Sequence, residues 1–195
     1  MKNINIEYEA TFPNINKDDI RQRLKNSGAT LVKSENLMVR SVFGLPSGHE
    51  IEGAWLRVRN ENDKITMSLK IVNGDKIEDQ KEICLKIDNF EEGVNFLESI
   101  GCKPKAYQES KRELWTLDEV EITIDEWPYL EPYVEVEGKS EEAVKKVCSK
   151  LKFDYNQALF CSVDVLYDNK YKVGIDYINN HVRRICFDEA NPFIV

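Results

Sequence analysis

Short segments in which apolar and polar residues alternate recur along most of this chain, and they predict β-strands. Side chains alternate between the two faces of a strand, so residues i and i+2 share a face. The segment that begins at Ile4 places Glu7 and Glu9 on one face and mostly apolar side chains on the other. A later segment, Tyr-Val-Glu-Val-Glu, places Glu135 and Glu137 in the same way. Two carboxylate pairs on separate strands suggest a site for a hard cation.

Other predicted strands place basic residues on one face. The segment Trp-Leu-Arg-Val-Arg puts Arg57 and Arg59 opposite two aliphatic residues, and the next strand puts Lys70 beside hydroxyl side chains. An antiparallel sheet with one solvated face gives such a pattern, and so does a closed barrel with a polar lumen and helices outside. Periodicity alone leaves both open, but the recurrence of both signs of charge over many strands favours the barrel.

The order of the predicted elements indicates an α+β fold with about eight antiparallel strands, two inserted helices and a helical C-terminal tail. The predicted strands are 4–12, 29–43 (broken or bulged near residues 35–36), 54–60, 64–72, 80–87, 105–117, 119–127 and 133–137. The predicted helices begin after Asn16, after Asp88 or Asn89, and at Ser140, because these residue types cap helix N-termini. We predict a single domain over residues 1–195, divided into a barrel with helices (1–152) and a helical C-terminal extension (153–195).

Composition narrows the choice of partners and compartment. The 195 residues include 27 basic and 35 acidic side chains, for a net charge of −8, which argues against nucleic-acid or anionic-membrane partners. No apolar segment approaches the roughly 20 residues of a membrane span, and the N-terminal segment lacks an apolar signal-peptide core. The 5 cysteines are widely spaced without a Cys-x-x-Cys pair, so neither a disulfide framework nor structural zinc is expected. We expect a cytoplasmic protein.

Five short motifs follow one another along the chain in the order found in a known family. They are Glu7-Tyr8-Glu9-Ala10-Thr11 against Glu-x-Glu-x-Lys, Leu56-Arg57-Val58-Arg59 against Leu-Arg-hydrophobic-Arg, Ser68-Leu69-Lys70, Lys111-Arg112-Glu113-Leu114-Trp115, and the block from Ile124 to Gly138 against Asp-x-x-Pro followed by Glu-hydrophobic-Glu. Each motif is common by itself, whereas their order and spacing are specific. The chain resembles the CYTH family, also called triphosphate tunnel metalloenzymes, which is named for class IV adenylate cyclase and thiamine triphosphatase.

The resemblance implies an eight-stranded antiparallel tunnel whose lumen binds a triphosphate or nucleoside triphosphate together with Mg²⁺ or Mn²⁺. Carboxylates suit these ions, and arginine forks and lysine charges suit phosphate oxygens. The resemblance implies catalytic and metal-binding roles for Glu7, Glu9, Glu135 and Glu137. It also implies substrate-binding roles for Arg57, Arg59, Lys70 and Arg112, and supporting roles for Glu82 and Asp125. Asp125 is expected to bind metal or to orient a basic partner.

One position departs from the family pattern. Thr11 stands where the signature has lysine, which removes a cation from the first strand, and Arg40 is a candidate to replace it in substrate binding. We expect hydrolysis of a terminal phosphoanhydride. The alternatives are a class IV type adenylate cyclase that makes cyclic AMP and pyrophosphate from ATP, and a triphosphate-binding protein without catalysis. A monomer and a homodimer both remain open.

Overall fold

The structure is a computed structural model and describes residues 4–194, so the predicted domain limits at residues 1 and 195 lie outside the described residues. The strands are β1 (Asn5–Ile6), β2 (Tyr8–Phe12), β3 (Thr30–Gly44), β4 (Ala54–Asn60), β5 (Ile65–Val72), β6 (Gln80–Ile87), β7 (Lys103–Leu117), β8 (Val120–Glu126), β9 (Tyr133–Gly138) and β10 (Arg184–Ile185). The helices are α1 (Lys17–Asn26), α2 (Phe90–Ser99), α3 (Glu141–Lys150), α4 (Val163–Tyr171) and α5 (Ile175–Asn180), with single 3₁₀ turns at Ile77–Asp79 and Tyr155–Gln157.

The first nine strands form a nearly closed antiparallel barrel in the order β1-β6-β5-β4-β3-β7-β8-β9-β2. The first predicted strand is interrupted at Glu7, so that β1 pairs with β6 and β2 pairs with β9. The Glu7 backbone N–H donates to the Gln80 carbonyl oxygen at 2.9 Å, and Gln80 Nε2 donates to the Glu9 carbonyl oxygen at 2.7 Å. These two segments act as one broken strand that joins both ends of the sheet, which confirms the predicted eight-stranded barrel.

Helices α1 and α3 cover the apolar outer face of β2, β8 and β9. Asn16 caps α1 as predicted, since its side chain accepts from the backbone N–H groups of the first turn. Ile20 and Leu24 lie four residues apart on one face of α1 and are buried in the same core cluster as Ala10 and Val144. Because that outer face is buried in a core, the opposite face of each strand is left to line the interior of the barrel.

Helix α2 covers the outer face of β3 and β4, and β3 is irregular where the sequence predicts it. Helix α2, capped by Asn89, packs Leu97 against Val58 and Phe43 outside β3 and β4. Strand β3 shifts its register against β7 between Lys33 and Asn36, where the sequence predicted a break or bulge. None of the helices within residues 4–194 is long and apolar enough to cross a membrane.

The C-terminal extension packs on the barrel at the turn that precedes β9. Its helices α4 and α5 agree with the predicted helical tail, and Tyr167 of α4 is fully buried in a cluster with Trp127 and Tyr133 of the barrel. Strand β10 was not predicted. It has two residues and pairs in parallel with β7, so no local alternation marks it in the sequence.

Candidate functional site

The barrel encloses a cavity of about 1260 Å³, here called the lumen. Every predicted site residue except Asp125 lines it. These residues are Glu7, Glu9, Arg40, Arg57, Arg59, Lys70, Glu82, Arg112, Glu135 and Glu137. They come from seven different strands and one strand junction, and they meet because each faces the inside of the barrel. The lumen is therefore strongly charged, with both signs present.

Lys70, Arg57 and Arg59 each lie beside a glutamate. Lys70 Nζ is 2.9 Å from Glu7 Oε2, and the two residues come from β5 and from the break between β1 and β2. Arg57 Nη2 donates to Glu82 Oε1 at 3.1 Å. Arg59 pairs in turn with Glu61, at 2.5 Å from its Nη2. These ion pairs hold long, flexible side chains in place, so the three cations are already oriented within the lumen.

Arg112 connects a buried carboxylate to the lumen. Its Nε donates to Asp125 Oδ1 at 2.7 Å, and its Nη2 donates to Glu135 Oε2 at 2.5 Å. The second Asp125 oxygen accepts from the Thr123 hydroxyl at 2.6 Å, and Asp125 is fully buried. Both Asp125 oxygens are thus engaged behind Arg112. Of the two roles expected for Asp125, this geometry favours orientation of a basic partner over contact with a metal.

Several buried donors in or next to the lumen have no hydrogen-bond partner within residues 4–194. They are the Nε atoms of Arg40, Arg57 and Arg59, the indole Nε1 of Trp127, and the hydroxyl groups of Thr11, Thr66 and Ser68. Buried polar groups almost always find a partner, and leaving one unsatisfied costs about 1–3 kcal/mol. Guanidinium and indole N–H groups only donate. The lumen is therefore organised to receive a ligand rich in acceptor oxygens.

The carboxylates form a second, negatively charged part of the lumen. Glu9 and Glu137 are register partners on β2 and β9, and neither forms an ion pair with any residue between 4 and 194. Burial, and then the charge of Glu135, raise the pKa of Glu9 well above its ordinary value. Burial also raises the pKa of Glu7 to about 7, although Lys70 opposes this shift. Carboxyl groups therefore outnumber their basic partners where β2 meets β9.

The donor chemistry of this part of the lumen fits a divalent cation. The donors are carboxylate oxygens, which suit Mg²⁺ and Mn²⁺, and a cation would relieve the repulsion that raises the pKa of Glu9. Within residues 4–194, no group of three or more histidine, cysteine or acidic side chains converges closely enough to hold an ion by itself. Mg²⁺ is usually held by one or two carboxylates and completed by phosphate oxygens and water. Glu9 and Glu137 are thus placed to hold such an ion together with a bound phosphate.

Thr11 occupies the position of the signature lysine. It is buried, its Oγ1 has no partner, and on β2 it lies opposite Glu135. Its other backbone edge pairs with Leu159 of the extension, through N–H to oxygen distances of 2.9 and 3.0 Å. Cys161 lies near enough that, after burial and Asp164, the charges of Glu135 and Glu9 raise its pKa. The extension therefore reaches the lumen at the position where the signature lysine is missing.

Sequence reasoning did not find the contribution of the extension to the lumen. Residues from Phe160 to Val165 and from α5 line the cavity, although no motif marks them. Trp127 is not among the predicted site residues, but it lines the lumen and stacks on Arg40. The one available signal was its place inside the Asp-x-x-Pro block.

The chain is thus an antiparallel barrel whose lumen is lined by arginines, lysines and glutamates. The CYTH domain family matches residues 3–165, and the chain belongs to that family.

Solved structures with the same fold are distant in sequence. The PH1012 protein of Pyrococcus horikoshii is 19% identical, with a TM-score of 0.68 over 82% of this chain and 98% of that chain. A proposed adenylate cyclase of Vibrio parahaemolyticus is 14% identical, with a TM-score of 0.71 over 84% and 98%. A proposed adenylyl cyclase of Hippeastrum with a dominant triphosphatase activity is also 14% identical, with a TM-score of 0.55 over 80% and 91%. No curated protein matches the chain.

Proposed function

We propose that this protein is a divalent-metal-dependent triphosphatase that cleaves a terminal phosphoanhydride of inorganic triphosphate or of an organic triphosphate. The observation that supports this most directly is the set of unpartnered guanidinium and indole donors in a lumen that also holds an excess of carboxylate. A polyphosphate supplies acceptor oxygens to the unpartnered guanidinium and indole donors. Together with a bound divalent cation it also balances the carboxylates of the lumen.

In this proposal the basic residues bind and orient the phosphates. Arg57, Arg59 and Arg40 present N–H groups to phosphate oxygens. Lys70 and Arg112 are paired with Glu7 and Glu135 and add positive charge next to the carboxylates. Fixed cations of this kind stabilise the charge that spreads over phosphoryl oxygens in the transition state. The burial of these side chains strengthens the attraction, because the surroundings screen it less than bulk water does.

The carboxylates would hold Mg²⁺ or Mn²⁺, with Glu9 and Glu137 as the principal ligands and Glu7 and Glu135 beside them. A bound ion supplies polarisation of a phosphoryl oxygen and lowers the pKa of an attacking water. Asp125 positions Arg112 from behind and keeps its guanidinium plane directed at Glu135. The Hippeastrum protein, whose dominant activity is triphosphatase, supports hydrolysis over cyclisation. Among the described residues 4–194, no lumen side chain marks adenine recognition.

Product analysis tests the proposal. The purified protein is incubated with inorganic triphosphate, ATP and thiamine triphosphate, with Mg²⁺ or Mn²⁺, and we expect inorganic phosphate to be released. Cyclic AMP and pyrophosphate as the main products from ATP would identify a cyclase instead. Thermal stabilisation by triphosphate without any product would identify a binding protein, the alternative that Thr11 favours. If triphosphate gives no product and no thermal stabilisation, the lumen is not a triphosphate site. A ligand at one hundred times its Kd stabilises the folded protein by about 2.7 kcal/mol, so binding would be detected.

We expect stabilisation by metal to increase with pH. Burial raises the pKa of Glu7 to about 7 and that of Glu9 well above its ordinary value, so both carboxyls bind protons more tightly than free glutamate does. Below these pKa values a metal must displace protons, which weakens its apparent affinity by up to about tenfold per pH unit for each proton. Thermal unfolding at fixed Mn²⁺ should therefore show a larger increase in Tm at pH 8 than at pH 6.

The Glu7→Gln variant is the control for this pH dependence, because it removes one of the two titrating groups. Its metal-dependent shift in Tm should vary less between pH 6 and pH 8. An equal or larger shift at pH 6 in the unmodified protein would contradict metal binding by these carboxylates.

A further inference from the structure

Among the five predicted basic site residues, Arg40 alone forms no ion pair with any carboxylate in residues 4–194. It is buried, one Nη2 donates to the Ser110 hydroxyl, and its Nε has no partner. On β3 it lies opposite Arg59 in register, so like charges surround it. Burial, and then the charges of Arg57 and Arg59, lower its pKa to about 9, so it stays protonated at neutral pH. Arg40 is thus a charged group whose electrostatic partner must come from a ligand.

An aromatic ring determines where the Arg40 guanidinium lies. Its Cζ is 4.2 Å from the centre of the Trp127 ring, a cation–π contact. Trp127 is held by packing, because its Nε1 has no hydrogen-bond partner. Tyr167 of α4 meets the Trp127 ring edge-on at 6.5 Å, and its hydroxyl donates to the Pro128 carbonyl at 2.8 Å. The extension therefore holds both the Trp127 ring and the backbone that follows it.

Further contacts fix this part of the extension on the barrel. Phe193 stacks on Tyr167 with ring centres 4.4 Å apart, and it also stacks on Tyr171. The Tyr171 hydroxyl donates to the Tyr129 carbonyl oxygen at 2.7 Å. The position of Tyr167 beside Trp127 is thus the result of a packed aromatic cluster and not of one contact.

A second route connects the extension to the same place on the barrel. Ile185 of β10 pairs with Gln108 of β7, and Gln108 is the register partner of Arg40 on β3. The extension therefore contacts the strand that lies next to Arg40 as well as the ring that stacks on Arg40. Both sets of contacts end at Arg40, the predicted basic site residue that has no carboxylate partner within residues 4–194.

We infer that the C-terminal extension is a working part of the triphosphate site, in which Tyr167 positions Trp127 and Trp127 holds the Arg40 guanidinium for a phosphate group. Tyr167 and Trp127 are positioning residues, and Arg40 makes the contact with the ligand. This inference rests on the proposed function only in requiring that the lumen binds a polyphosphate.

The test is a double-mutant cycle read by calorimetric binding of inorganic triphosphate to the full-length, metal-free protein. We expect Arg40→Met and Tyr167→Leu each to weaken binding, the second by about tenfold, which is the scale of a desolvated cation–π contact. In the Arg40→Met background, Tyr167→Leu should cause little further loss, because the two changes remove the same interaction. Tyr167→Phe keeps the ring and should restore binding to within about threefold.

A control variant and two contrary results distinguish positioning of Arg40 by Tyr167 from a purely structural role of Tyr167. Arg23→Met removes a cation–π contact with Phe153 outside the lumen and should leave triphosphate affinity unchanged. Equal losses from Tyr167→Leu with and without Arg40 would overturn the inference, and so would unchanged affinity in Arg40→Met. Failure of the unmodified protein to bind triphosphate would instead contradict the proposed function.

If the protein hydrolyses triphosphate, steady-state kinetics give a second reading of the same cycle. Tyr167→Leu should raise KM about tenfold and change kcat by less than about twofold, since it weakens the hold on a phosphate without touching the carboxylates. A fall in kcat with KM unchanged would contradict positioning through Arg40.

Discussion

Glu135→Gln should lower kcat for the triphosphate substrate by on the order of 100- to 1000-fold and leave the fold intact. Glu135 lies between Arg112, 2.5 Å away, and the carboxylate cluster at Glu9, so its charge serves both parts of the lumen. Glutamine has nearly the same shape and keeps a carbonyl oxygen for Arg112, but it removes the negative charge needed for a divalent cation. Phosphate release under saturating substrate measures the loss, and circular dichroism with thermal unfolding measures the fold.

Glu119→Gln is the matched control, because it makes the same chemical change at an exposed residue outside the lumen that pairs with Lys139. Its kcat should equal that of the unmodified protein. Full metal-dependent turnover in Glu135→Gln would remove the proposed role of Glu135 in holding the metal.

Arg112→Met should reduce the free energy of unfolding by about 3–5 kcal/mol at pH 7.5, the usual cost of breaking a buried ion pair from one side. Arg112 bonds to both Asp125 and Glu135, and Asp125 is fully buried, so its loss leaves two carboxylates without their cation. Burial already raises the pKa of Asp125 in the presence of Arg112. Without the arginine this pKa rises further, and protonation at pH 5 then removes part of the penalty.

Urea unfolding at pH 7.5 and at pH 5 measures this effect, and the loss should be smaller at pH 5. The control is Lys139→Met, which breaks an ion pair whose two members are both exposed, and it should not change stability measurably. A loss that is larger at pH 5 would mean that Asp125 and Glu135 are not the carboxylates left unpaired.

Much of the barrel could be predicted because its determinants are local in the sequence. The limits of α1 follow from a cap at Asn16 and a glycine at residue 28, whose φ of 78° ends the helix. The alternation in β4 fixes which face carries Arg57 and Arg59. The choice between a solvated sheet and a lumen could not be made from alternation, because both give the same period; the order of the family motifs decided it.

The parts that sequence did not predict depend on contacts between distant residues. Trp127 lines the lumen because Tyr167, forty residues later, packs against it, and no periodic pattern encodes that meeting. Likewise, the role of Asp125 depends on whether its oxygens face a cation or the lumen, which strand alternation leaves open. The distances to Arg112 and Thr123 distinguish these two arrangements.

The interrupted first strand has a consequence for the order of folding. Residues of β1 and β2 must pair with β6, which ends at residue 87, and with β9, which ends at residue 138. During synthesis the barrel cannot close until most of the chain has left the ribosome, and these pairings give the fold a high contact order, which slows folding. Until β9 is synthesised the edge of β2 that it will occupy stays unpaired, and such edges are prone to aggregation. The nascent chain therefore carries this unpaired edge throughout the interval between the synthesis of β2 and that of β9.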